Sequence, residues 1–103
     1  MNISQKDLEI IMQLIMYSGE AKGLAMKAIQ EAKRGDKGKA DELMKQGHQT
    51  LVKAHQAQTS MLTQEAAGEE IPIQLLTIHS QDHLMNTITF LDLAKEIIEL
   101  YNR

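Results

Sequence analysis

The sequence predicts an all-α fold, an antiparallel three-helix bundle running up, down and up, and three observations carry that expectation. Helix-breaking clusters occur only at Arg34-Gly35-Asp36-Lys37-Gly38 and Gly68-Glu69-Glu70-Ile71-Pro72, which cut the chain into three long segments. Each segment is rich in Ala, Leu, Met, Glu, Lys and Gln, the strong helix formers. The single proline lies in the second breaker cluster and not inside a segment. Helices are therefore expected over about 4–33, 37–66 and 72–101, within one domain spanning residues 1–103.

In the first helix, Leu8, Ile11, Met12, Leu14, Ile15, Ser18, Ala21, Ala25, Met26, Ala28, Ile29 and Ala32 cover more than half of the circumference at 100° per residue. An arc that wide exceeds the needs of one neighbour, so a second partner surface is expected. Gly35 is suited to cap this helix, and Asp36 to start the next. The second helix carries a mixed stripe, Met44, His48, Leu51, His55, Gln58 and Leu62, whose polar members are expected to hydrogen-bond between helices or to wall a site. Gly68 is expected to close it, with Pro72 in the first turn of the third helix. Gly19, Gly23 and Gly47 fall inside helices, through close approach or simple tolerance, and most of the seven methionines are expected in the core. Three rods of about 45 Å make an elongated bundle with poor burial per residue, which points to a symmetric homo-oligomer.

The third helix breaks its own pattern. Leu75, Leu76, Phe90, Leu93, Ala94, Ile97, Leu100 and Tyr101 share a face with His79, Asp82, His83 and Asn86, so polar residues interrupt an apolar stripe for two turns. A zinc hydrolase would place a glutamate directly after the first histidine, whereas the segment reads His79-Ser80-Gln81-Asp82-His83. Two readings stay open on spacing alone. One is a hydrogen-bonded patch that fixes helix register or oligomeric state in a non-catalytic interaction or regulatory module. The other is a histidine nucleophile, whose neutral imidazole offers a lone pair near neutral pH.

Composition excludes several classes. With no cysteine, the chain supports no disulfide framework, thiol nucleophile or cysteine zinc site. A net charge of -3 and 3% aromatic residues give no basic footprint and little stacking surface for nucleic acid. No apolar run approaches the length of a membrane span, and the N-terminus lacks the pattern of a signal peptide, so a cytoplasmic location is expected.

The run Ile78-His79-Ser80-Gln81-Asp82-His83-Leu84-Met85, with Ala54-His55-Gln56-Ala57-Gln58-Thr59 before Glu65-Ala66 and with Ser18-Gly19-Glu20-Ala21-Lys22, resembles the lactose/cellobiose-type enzyme IIA component of the bacterial phosphoenolpyruvate-dependent sugar phosphotransferase system. The resemblance covers essentially the whole chain. It implies a homotrimer of nine helices and a phosphocarrier, with the residue matching His79 receiving a phosphoryl group on Nε2 from HPr. The group then passes to a cysteine of the cognate IIB component, while IIC is reached only through IIB. It also implies a divalent metal held on the three-fold axis by three copies of Asp82, for which oxygen ligands favour Mg²⁺ over zinc. His83, one turn beyond His79, is expected to donate a hydrogen bond to a phosphoryl oxygen. Lys22-Gly23, Ser80 and Asn86 depart from the residues usual in the family, and a lysine keeps the charge of an arginine without its bidentate fork.

Overall fold

The computed structural model describes residues 2–103 and contains three helices, α1 (Gln5–Lys33), α2 (Lys37–Ala66) and α3 (Leu75–Tyr101), with no strand among the described residues. Ser4 caps α1 by accepting from the Asp7 amide, and Asp36 caps α2 by accepting from the Lys39 amide at 3.0 Å. Gly35 and Gly68 adopt φ of 87° and 89° just past the ends of α1 and α2. There the amides of Asp36 and Glu69 reach back to the carbonyls of Glu31 and Gln64, which satisfies helix-end carbonyls in the way a left-handed glycine permits.

The third helix starts later than the sequence suggests. Pro72 lies outside it, in a connection that runs to Gln74, and its carbonyl accepts from the Thr77 hydroxyl at 2.8 Å. Pro72 therefore closes the loop from the outside and does not occupy the first turn. His79 consequently stands just beyond the first turn, nearer the helix N-terminus than the sequence implied.

α1 packs along both of its neighbours, whereas α2 and α3 touch each other only briefly. The core consists of Ile11, Leu14, Ala21, Ala25, Ala28 and Ile29 of α1 against Met44, Leu51, Ala54 and Met61 of α2 and Leu84, Leu91, Ala94 and Ile98 of α3. The many alanines allow close helix approach, and Gly47 serves it directly: a Cβ there would lie 3.5 Å from the Ala21 carbonyl oxygen. Gly23 faces open space and is merely tolerated. At one end of the bundle, the buried carboxylate of Asp7 accepts from Gln64 at 3.0 Å and ties α1 to α2.

The molecule measures 52 × 21 × 18 Å with a radius of gyration of 15.9 Å, against about 13 Å for a compact domain of this length. The elongation leaves apolar surface exposed. The wide arc of α1 divides: Ile11, Leu14, Ser18, Ala21, Ala25, Ala28, Ile29 and Ala32 enter the core, while Met12, Met16 and Met26 are exposed. Of the six methionines described, only Met44 and Met61 are buried, so the expectation of methionines mainly as core filler is corrected.

α3 divides in the same way. Its core face carries Ser80, Leu84, Thr87, Leu91, Ala94 and Ile98. Ala94, grouped by sequence with the interrupted stripe, thus belongs to the core. The opposite face exposes Leu75 at 83%, Leu93 at 56% and Leu100 at 60%, together with Ile78, Met85 and Ile97. So many exposed large apolar side chains along one helix face are uncommon on a solitary chain. The interrupted stripe is therefore a second, outward apolar face.

Candidate functional site

His79, Asp82 and His83 lie together on that side of α3, as their i, i+3 and i+4 spacing dictates. The Nδ1 atom of His79 lies 3.4 Å from Oδ1 of Asp82, and the two side chains remain 55% and 67% exposed. A carboxylate on that side favours the proton on Nδ1, which leaves a lone pair on Nε2. Because His79 follows the first turn and helical side chains lean toward the N-terminus, the positive end of α3 adds a field favourable to an anion there. The later helix start makes this contribution larger than the sequence implied.

The His79 and His83 rings are stacked, with centroids 5.6 Å apart and planes inclined by 15°. Nε2 of His83 faces α1: a Cβ added to Gly19 would sit 3.4 Å from it. Gly19 therefore provides the room that the second imidazole occupies, which gives this helical glycine a local purpose. The His83 carbonyl accepts from the Thr87 hydroxyl at 2.8 Å, and the same hydroxyl reaches the Ser18 carbonyl at 3.2 Å. Thr87 and Ser18 are fully buried, so this small polar seam fixes α3 against α1 directly beneath the histidine pair.

Lys22 projects from α1 into the same region. Its Nζ donates to Oδ1 of Asn86 at 3.3 Å and lies 5.7 Å from the centre of the Phe90 ring. In the sequence Lys22 stood out only as a departure from a family pattern, whereas Asn86 was also one of the polar residues that interrupt the stripe of the third helix. The signal that pairs them, matching positions on two parallel helices, becomes readable only once α1 and α3 are in register.

Burial, then the proximity of His79 and Lys22, holds the His83 imidazole below its ordinary value of 6.5, with Asp82 opposing. The unfolded chain then binds a proton more readily than the folded one, so stability is present above the unfolded pKa and is lost as pH falls through 6.5 toward the folded value. In chelating buffer, His83→Gln is expected to flatten the pH dependence of the denaturation midpoint in this window. An unchanged slope would show that His83 does not carry it.

The second-helix stripe is only partly used. Gln58 donates to Oε1 of Gln81 at 2.8 Å, and Gln81 in turn reaches Sδ of Met61. This bears out interhelical hydrogen bonding for Gln58. His48, His55 and Leu62 are exposed and do not take part in it. At 100° per residue this stripe runs along one edge of the buried arc of α2, so its outermost members face solvent.

No group of three or more His, Asp or Glu within one chain could hold a metal among the described residues. Asp82 brings one exposed carboxylate, a hard oxygen donor suited to a cation such as Mg²⁺ only when several copies converge.

Fold and site together define a small all-helical subunit whose accessible imidazole, flanked by a carboxylate, lies on an apolar face left open in the single chain. Residues 9–102 match the family model described as the PTS system, lactose/cellobiose specific IIA subunit. The cellobiose-specific EIIA component of the phosphotransferase system (PTS) from Lactococcus lactis is 47% identical over 86% of this chain and 77% of its own. A crystal structure of the cellobiose-specific enzyme IIA from Bacillus anthracis superposes with a TM-score of 0.93 at 44% identity, covering 97% of this chain and 92% of that one. The chitobiose IIA in its complex with HPr from Escherichia coli superposes with a TM-score of 0.82 at 34% identity, covering 96% of each chain. The chain belongs to the lactose/cellobiose-specific IIA family and is a component of the phosphotransferase system. No helix among the described residues is long and apolar enough to cross a membrane.

Proposed function

We propose that the protein is a cytoplasmic phosphocarrier in which Nε2 of His79 accepts a phosphoryl group from phospho-HPr and passes it to a cysteine of the cognate IIB component, serving uptake of a lactose/cellobiose-type disaccharide through IIC. The single observation that carries this reading is the accessible His79 imidazole with Asp82 on its Nδ1 side. A relative solved in complex with HPr supports the choice of donor. In the first step the Nε2 lone pair forms a bond to phosphorus, and the bond from phosphorus to the donor breaks with its electron pair returning to the donor. In the second, an incoming thiolate forms the sulfur–phosphorus bond while the phosphorus–nitrogen bond breaks and its pair returns to His79. Neither step requires a proton at the reacting nitrogen, so catalysis rests on in-line positioning and charge stabilisation. His83 is assigned to hydrogen bonding of a phosphoryl oxygen, with its ring held in place by the Gly19 gap and the stacking contact.

The working assembly is a homotrimer in which the outward faces of α1 and α3 are covered by neighbouring copies. Exposed Met12, Met16, Leu93 and Leu100 support it, because they gain burial without disturbing the core. Three Asp82 carboxylates on the three-fold axis would repel one another, and Mg²⁺, one per trimer, would relieve that repulsion. Asp82→Leu is expected to leave a trimer that no longer retains metal after gel filtration, as read by elemental analysis; metal at unchanged stoichiometry would contradict the axial assignment.

Incubation with phosphoenolpyruvate, enzyme I and HPr, followed by intact mass measurement, tests the carrier reading. One acid-labile phosphoryl adduct per chain is expected. Folded protein that gains no adduct would overturn the reading and favour a non-catalytic helical interaction module.

A further inference from the structure

The candidate site contains a cation with no acidic partner. Among the described residues the ion pairs are Arg34 with Glu31 and His79 with Asp82, and Lys22 belongs to neither. Its ammonium rests on a neutral amide oxygen at 3.3 Å, long for a charge-assisted contact, and lies over the Phe90 ring. Both contacts are weak and half-exposed, and a lysine stem has four rotatable carbons, so the resting position is cheap to leave. Asn86 stands one turn past His83, the ring stacked on His79. A phosphoryl group on His79 would bring about two negative charges beside the carboxylate of Asp82.

Resting on the carrier reading, we propose that Lys22 is the counter-charge of the loaded state, held in reserve on Asn86 and Phe90 and released toward the phosphoryl group when His79 becomes phosphorylated. Lys22 is thus a positioning and charge-balancing residue that stabilises the phosphorylated protein relative to the free one. It acts from α1 across the helix boundary, one turn beyond the Gly19 position against which the His83 ring packs. Asn86 serves as its parking place, which gives a use to a polar residue that interrupts the outward apolar stripe.

The test compares the wild-type protein with Lys22→Met, Lys22→Gln and Lys22→Arg at a fixed ratio of phospho-HPr to HPr, reading the equilibrium phosphoryl occupancy by intact mass. An equilibrium constant is independent of how well the two proteins dock, so it isolates the stability of the phosphorylated form. Both neutral variants are expected to lower the constant by about tenfold at low salt, the scale of one charge-assisted hydrogen bond. Lys22→Arg should stay close to wild type, and the deficit should shrink in about 1 M salt. Neutral variants that load as wild type, an arginine that fails as methionine does, or a deficit indifferent to salt would each overturn the proposal. Wild-type protein that takes no phosphoryl group would instead mark failure of the carrier reading itself.

Discussion

His79→Gln is expected to abolish phosphoryl uptake and onward transfer while leaving the fold intact. The imidazole is more than half exposed, so its replacement by an amide of similar reach should change stability by only about 0.5 kcal/mol. Transfer rates should fall by at least about four orders of magnitude, the scale of deleting a covalent nucleophile, because an amide nitrogen has no lone pair to offer phosphorus. The contrast with the other histidines is part of the expectation. His48 and His55 lie exposed on α2, outside the cluster formed by His79, Asp82 and His83. Their glutamine variants should load normally. A label that persists in His79→Gln, or that disappears in His55→Gln, would contradict the assignment.

Leu93→Asp is expected to dissociate the proposed trimer into single chains without loss of helicity. Leu93 is exposed on the outward face of α3, whereas the core side of the same turns carries Leu91 and Ala94. The substitution therefore spares the bundle and strikes only what covers that face. Each copy loses about 1.5–3 kcal/mol of leucine burial and gains a carboxylate that must be desolvated beside two others. Light scattering after gel filtration should report a single chain of 11.6 kDa. A particle unchanged in mass would mean that the interface lies elsewhere.

Helix number and the two glycine caps were legible because breaker residues are sparse and local. The start of α3 was not, because proline is equally at home in a first turn and in a loop just ahead of one. The division of each apolar arc into an inner and an outer face was also hidden: periodicity shows how much of a helix is apolar, and only packing shows which part meets α1. Ala94 and the exposed methionines were misplaced for that reason. Within the candidate site, neighbours one turn apart on α3 were readable from spacing. Gly19 against His83, and Lys22 against Asn86, depend on the register of two parallel helices 64 residues apart in sequence. No local pattern encodes that register, and the buried Thr87 hydroxyl bridging α3 to the Ser18 carbonyl is one of the contacts that sets it.

Where the phosphorus sits is the most direct test of the central claim. Nitrogen-15 correlation spectra of the phosphorylated protein resolve the two nitrogens of each imidazole, and phosphorus coupling marks the one that is modified. The expected result is a single coupled nitrogen, Nε2 of His79, with Nδ1 still protonated on the Asp82 side. Coupling at Nδ1 of His79, or at any nitrogen of His48, His55 or His83, would contradict it.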